Sequence, residues 1–246
     1  MKIARLSLEQ GPRYAILDQD AGQYLVLTDD PMFGSVEVSG QRVPEEEAQL
    51  LSPMIPRSKV VGYIGTYGSG VSLENLEMFL KPNTSVIGTD DPVILPEWAH
   101  TVRHEPELAV VISRACKDIP ASRAKDVIFG YTVANDVTAV APDKARGKGF
   151  DTALPTGPVI ETDLDVSDLH VVSRVDRQVR REGRTSELAF SVNELVAYAS
   201  TIFTLLPGDI VLTGAPAGDG EIKAGELVEV EVEGIGVVAN PVMRRA

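Results

Sequence analysis

The stretch His104-Glu105-Pro106-Glu107-Leu108-Ala109-Val110-Val111-Ile112 decides how this chain is read. Its apolar half, Leu108–Ser113, has the length of a strand. In a strand, residues i and i+2 point to one side, so Glu105 and Glu107 aim at the same place. Two like charges held together near a core are costly unless something positive lies between them. A second apolar run, Val127–Val133, leads into Ala134-Asn135-Asp136 and delivers a third carboxylate at a strand end. Three oxygen ligands from two strands describe a hard-cation site, Mg²⁺ or Mn²⁺, with positions open for substrate and water. The plainer alternative is an edge strand carrying two surface glutamates, because E-x-E alone is a weak signal.

Outward from that centre, the chain reads as β-rich. Val228–Glu233 alternates Val and Glu, which predicts a strand with one wet face. One helix stands out over Ser191–Thr204. Ser191 caps it, Glu194 completes a capping box, and Val192, Leu195, Val196, Ala199 and Phe203 share a face. Toward the N-terminus, Tyr14–Leu17 and Tyr24–Leu27 read as strand, turn and strand. Pro44, Glu45–Glu47 and Leu50–Leu51 suggest a short helix with acidic residues in its first turn. The connector Ser52–Pro56 carries two prolines and places a boundary near residue 55, between a small unit at 1–55 and a larger one at 56–246.

With 246 residues and a 43% hydrophobic fraction, the chain can bury a sizeable core. Lys and Arg number 23 against 36 Asp and Glu, a net charge of −13. That balance argues against nucleic acid and anionic membranes as partners, but not against a small anionic substrate, because a metal ion or one placed Lys reverses the local field. The single cysteine, Cys116, permits no intrachain disulfide and reads as an inert thiol. MKIARLSLEQ lacks the apolar core of a signal peptide, and no run reaches membrane-span length, so a cytoplasmic protein is expected.

Further segments fall in a familiar order. Met78-Phe79-Leu80-Lys81-Pro82 is followed by Glu105-x-Glu107, by Gly130-Tyr131 through Asn135-Asp136, and by Lys148 and Phe150-Asp151 running on to Gly157-Pro158. Leu206-Pro207-Gly208-Asp209-Ile210-Val211-Leu212-Thr213-Gly214-Ala215-Pro216-Ala217-Gly218 comes next, then Gly225 through Gly234-Ile235-Gly236 and Asn240-Pro241-Val242. Over roughly residues 60–242 the sequence resembles the fumarylacetoacetate hydrolase family. The resemblance implies an α+β, β-rich fold, a mixed β-roll catalytic domain with a small N-terminal domain, assembled as a homodimer. It implies Mg²⁺ or Mn²⁺ on Glu105, Glu107 and Asp136, with Lys148 beside the metal. Substrate contacts fall to Tyr131, Lys148, Asp151 and Thr213. The substrate is a small anionic oxo acid: a 2-oxo acid, its enol or an acylpyruvate. Without the resemblance, Lys148 would be read as a solvated loop lysine.

The sequence departs from the family pattern in three places. The family's lid begins N-Y-x-x-H, whereas here Thr66-Tyr67-Gly68-Ser69-Gly70 puts Gly70 where the histidine belongs. Glu74 or Glu77 is left to serve as the lid acid, with Glu74 the catalytic candidate alongside Lys148. Val140 stands where many members carry an Arg, and Ala215 replaces a Thr. Of the three histidines, His100 and His104 precede the metal strand and His170 sits in a polar-flanked strand; His104 is read either as a support for Glu105 or as a partly exposed polar residue. An enolate route, isomerisation or decarboxylation, draws on what is present. Hydrolysis of a C–C bond needs a general base such as the missing histidine. Hydrolysis by another base, and binding of a metal–oxo-acid complex without turnover, remain the alternatives.

Overall fold

The structure is a computed structural model and describes residues 1–68 and 70–244. In chain order its elements are β1 (Lys2–Leu6), β2 (Arg13–Asp18), β3 (Gln23–Leu27), β4 (Val38–Pro44), β5 (Leu50–Leu51), β6 (Val60–Ile64), β7 (Glu77–Lys81), β8 (Val86–Ile87), β9 (Val93–Leu95) and β10 (Val102–Arg103). There follow β11 (Pro106–Ile112), β12 (Ile128–Asn135), β13 (Thr138–Ala139), α1 (Lys144–Gly149), β14 (Leu154–Glu161), β15 (His170–Val175) and β16 (Gln178–Arg184). The chain ends on α2 (Val192–Ile202), β17 (Ile210–Leu212), β18 (Leu227–Val232) and β19 (Gly236–Arg244). No helix among the described residues is long and apolar enough to cross a membrane.

The principal sheet runs β4-β3-β2-β1-β14-β12-β11-β17-β6-β7, with β5 beside β1 and β8 beside β14. It is mixed: β6 joins β17 in parallel, while β11 and β12 are antiparallel. All seven residues of β11 are buried, which is why Leu108–Ile112 reads as an unbroken apolar run. Leu108, Val110 and Ile112 enter the larger core, and Ala109 and Val111 enter a smaller one with Val60, Phe79 and Ile210. Glu107 shares the phase of Ala109 and Val111, so its carboxylate is carried to the smaller-core side. A second sheet, β16-β15-β18-β19-β9, supplies the opposing layer. In β18, Val228, Val230 and Val232 are buried while Glu229 and Glu231 are half-exposed, as the alternation predicts.

The helix expected over residues 191–204 forms as α2. Ser191 and Glu194 make the reciprocal capping box, and Val192, Leu195, Val196 and Ala199 are buried. Tyr63 on β6 donates a 2.6 Å hydrogen bond to the Leu195 carbonyl, tying the helix to the principal sheet. Residues 44–51 differ from expectation. Only Glu45–Glu47 turn, as a 3₁₀ segment, because Ala48 is already extended and Leu50–Leu51 pair with Arg5 and Leu6 as a strand. The N-terminal strands extend the principal sheet through the antiparallel pairing of β1 with β14. Across the connector, the Ser52 and Thr156 hydroxyls share a 2.6 Å hydrogen bond.

Candidate metal centre

The site forms where β11 begins and β12 ends. Pro106 pairs with Asn135 and Glu107 with Ala134. One residue beyond, the Asp136 N–H donates to the Glu105 carbonyl at 2.9 Å, so Glu105 and Asp136 face each other off the strand ends. The Asn135 side-chain oxygen accepts from the Glu105 N–H at 3.1 Å and fixes that turn. As a result one carboxylate oxygen each from Glu105, Glu107 and Asp136 lies within 4.8 Å of the others. Glu107 and Asp136 are buried, and Glu105 keeps 24% of its side chain exposed. The cluster therefore opens to solvent on the Glu105 side.

Two ammonium groups oppose the three carboxylates. Lys148 donates to Glu105 Oε2 at 2.6 Å and also to Asp136 Oδ2. Its side chain is 3% exposed, and the two carboxylates hold its pKa above the ordinary lysine value against the opposing effect of burial. Lys81 is completely buried and donates to the carbonyls of Val137, Lys148 and Ala153 at 3.0, 2.7 and 2.8 Å. Those three bonds use its three hydrogens. Asp136 Oδ1 sits 2.8 Å from the Lys81 nitrogen as an ionic contact and receives no hydrogen bond of its own. Burial pushes Asp136 toward its neutral form, but Lys81 and Lys148 together hold its pKa below the usual aspartate range. Glu107 has no such partner. Its Oε2 accepts only from the Gly214 N–H, at 2.6 Å. Burial, together with Asp136 and Glu105, pushes its pKa well above the carboxylate range.

These observations fit a divalent cation. Three acceptor oxygens converge, and one carboxylate, Glu107, is buried without an ion-pair partner. Three carboxylates against two ammoniums leave the cluster with an excess of one negative charge when all are ionised. An all-oxygen donor set suits Mg²⁺ or Mn²⁺.

Lys148 lies on the short helix α1 rather than on a loop. Asp143 caps that helix by accepting from the Arg146 N–H at 2.9 Å. The Lys148 ammonium also sits 4.4 Å from the centroid of the Phe79 ring. That ring in turn lies over Gly62, where a Cβ would come within 2.1 Å of Phe79 Cζ. Lys81 and Phe79 share one phase of β7, both buried. A lysine at an inward-facing position of an alternating strand is the signal that marks Lys81, and the sequence reading did not use it. Thr138, whose hydroxyl donates to Glu105 Oε2 at 2.9 Å, was missed as well.

The remaining candidates make no side-chain bond to the three carboxylates. Thr213 is buried, its hydroxyl donates to the Leu108 carbonyl at 2.9 Å, and it sets the adjacent Gly214 N–H against Glu107. Tyr131 faces the larger core and lines a separate cavity with Lys125, Asp165 and Phe190. Asp151 is exposed and Glu74 is exposed on a 3₁₀ turn; neither bonds to the three carboxylates. Gly70 is exposed with φ +81°, and Ser69 beside it lies outside the described residues. His104 is fully buried, not partly exposed. Its ring contacts the Gly220 carbonyl at 2.9 Å and the Ser173 hydroxyl at 2.7 Å, so it braces the second sheet rather than Glu105. Burial lowers its pKa to about 4. His100 is exposed, and His170 pairs with Glu182 at 2.8 Å. Thus no histidine among the described residues bonds to the cluster. Cys116 is buried, and burial raises its thiol pKa.

Residues 68–243 match the model for the fumarylacetoacetate (FAA) hydrolase C-terminal family, and residues 1–53 match the model described as Rv2993c-like, N-terminal. The chain is similar to the structure of 5-carboxymethyl-2-hydroxymuconate delta-isomerase from Mycobacterium smegmatis, with 41% identity, a TM-score of 0.91 and full coverage of both chains. It is 34% identical to the oxaloacetate tautomerase FAHD2A, mitochondrial, of Homo sapiens, over 82% of this chain and 71% of that protein. It is also similar to maleylpyruvate hydrolase from Sphingobium sp. SYK-6 in complex with manganese(II) ion and pyruvate, with 27% identity, a TM-score of 0.85 and full coverage of both chains.

Proposed function

The chain belongs to the fumarylacetoacetate hydrolase family, and on that premise we propose that it is a divalent-metal-dependent enzyme that isomerises a 2-oxo or 2-hydroxy-dienoic diacid through an enolate. The observation that carries this reading is the convergence of Glu105, Glu107 and Asp136 with Lys148 bound across two of them. Two relatives named for isomerase or tautomerase chemistry support it.

Glu105, Glu107 and Asp136 would hold the cation, Mg²⁺ or Mn²⁺. When bound, it would supply a Lewis acid beside the 2-oxo group of the substrate, lowering the cost of negative charge as solvent water takes up a C3 proton. Lys148 stays protonated beside Glu105 and Asp136, keeps those carboxylates aimed, and adds positive charge at the site. Lys81, whose own pKa burial lowers, makes a second ionic contact to Asp136 and keeps that carboxylate aimed, and the Gly214 N–H fixes the rotamer of Glu107. Decarboxylation of a β-oxo acid passes through the same enolate, so these residues serve it equally. Hydrolysis asks for a further group. A general base must aim water at a carbonyl, a contribution of ~10²–10⁴ in rate, and no histidine among the described residues touches the cluster.

The test is loss of C3-proton exchange in D₂O. With Mg²⁺ or Mn²⁺ the unaltered chain should accelerate exchange of oxaloacetate, and Glu107→Ala should abolish the metal-dependent part. Metal binding without any turnover of oxaloacetate, an acylpyruvate or a 2-hydroxyhepta-2,4-dienedioate would instead mark a binding protein.

A further inference from the structure

We infer that Lys144 holds the distal carboxylate of the substrate and so selects diacids over monoacids. The inference rests on the oxo-acid reading of the metal centre. A cavity of about 420 Å³ lies beside α1, and its walls include Thr138 and Lys148. Both residues bond to Glu105, so the cavity borders the metal centre through these two side chains. Lys144 and Glu77 lie on the wall of the same cavity.

Lys144 and Lys148 are four residues apart on α1, which puts them on one face of the helix about one turn, roughly 5–6 Å, apart. Their roles differ in burial. Lys148 is 3% exposed and is committed to Glu105 and Asp136, whereas Lys144 is 51% exposed. Much of the wall around them is apolar, made of Ala139, Val140, Ala141 and Pro142. The half-exposed Lys144 ammonium with hydrocarbon surface alongside complements the free carboxylate of a short chain whose other end is held at the metal centre.

The bond Lys144 already makes is weak. Its nitrogen lies 3.4 Å from Glu77, and both side chains are more than half exposed. Such pairs contribute little, so a substrate carboxylate can replace Glu77 at small cost. Asp143, the other acid on the wall, is committed to Arg146 at 2.7 Å and does not compete. In a chain of net charge −13, one cation at the rim of this cavity is what makes a second negative charge on the substrate acceptable.

The experiment compares oxaloacetate with 2-oxobutyrate, in which a methyl group replaces the distal carboxylate. C3-proton exchange in D₂O is followed by NMR with Mg²⁺ present, and kcat and KM are obtained for each acid above the uncatalysed background. The ratio of the two kcat/KM values should favour oxaloacetate in the unaltered chain. Lys144→Ala should reduce that ratio roughly tenfold, chiefly through the KM for oxaloacetate, as expected for one charge-assisted hydrogen bond. Lys144→Arg should restore most of it, and Glu77→Gln should raise it by freeing the ammonium. A Lys144→Ala chain that still exchanges and keeps the full preference overturns the role of Lys144 while leaving the enolate reading intact. Absence of exchange with both acids in the unaltered chain overturns that reading, and this inference with it.

Discussion

Replacing Glu107 with Gln should make the metal-free protein more stable while removing its response to metal. Glu107 is 1% exposed, accepts one hydrogen bond from Gly214 and faces two further carboxylates. The amide keeps an acceptor for that N–H and removes the unpaired charge. Relief of a poorly satisfied buried group amounts to about 1–3 kcal/mol. At 2–4 °C per kcal/mol for a chain of this size, the metal-free variant should melt at least about 2 °C higher. The gap should also depend on pH. The folded-state pKa of Glu107 is raised above the unfolded value of about 4.5, so this group lowers stability as pH rises from there through the folded pKa, and Gln does not. The difference should therefore widen as pH rises above about 4.5. With cation at a hundred times its dissociation constant, the unaltered chain gains about 2.7 kcal/mol, or roughly 5–10 °C, and the variant should gain far less. Scanning calorimetry with EDTA, Mg²⁺ or Mn²⁺ reads all four states. A variant that melts lower without metal at pH 8, yet responds to Mn²⁺ like the unaltered chain, would refute the reasoning.

Three further outcomes are expected. Lys81→Met removes a buried ammonium and strands three carbonyls and Asp136, so denaturant unfolding should show a loss of about 3–5 kcal/mol. Gly62→Ala places a Cβ 2.1 Å from Phe79 and pushes that ring against Lys148; it should cost about 1–3 kcal/mol and weaken Mn²⁺ binding followed by electron paramagnetic resonance. His104 titrates at about 4 when folded against 6.5 when unfolded, so its contribution is complete above pH 6.5 and is lost as pH falls toward 4. The loss amounts to about 3 kcal/mol. The unfolding free energy of His104→Gln should lack that acid slope.

What the sequence made legible was local. The capping box of Ser191 and Glu194 lies within one turn, the alternation of β18 is a period of two, and Glu105 and Glu107 are two residues apart, one just before β11 and one inside it. Each pattern needs only its neighbours to be read. The parts that were not legible depend on distant partners. Gly147 and Gly149 flank Lys148 and lower helix propensity, so that segment reads as a loop. The structure shows why a helix glycine is needed at 147: a Cβ there would meet the Ala139 carbonyl at 2.8 Å. His104 is polar and follows Arg103, which suggests exposure, but Gly220 and Ser173 reach it from elsewhere in the chain and bury it. Likewise Leu50–Leu51 joins Arg5 and Leu6, a pairing no local pattern encodes.

The most direct test of the account sets two rates side by side on one preparation with Mg²⁺ and Mn²⁺. One is interconversion of enol and keto oxaloacetate, or isomerisation of 2-hydroxyhepta-2,4-diene-1,7-dioate, followed by ultraviolet absorbance. The other is cleavage of an acylpyruvate. The account predicts metal-dependent isomerisation, abolished by EDTA and by Glu107→Ala, that exceeds C–C cleavage by ~10²-fold or more, the contribution of one general base. Efficient acylpyruvate cleavage with no isomerisation of either acid would contradict it.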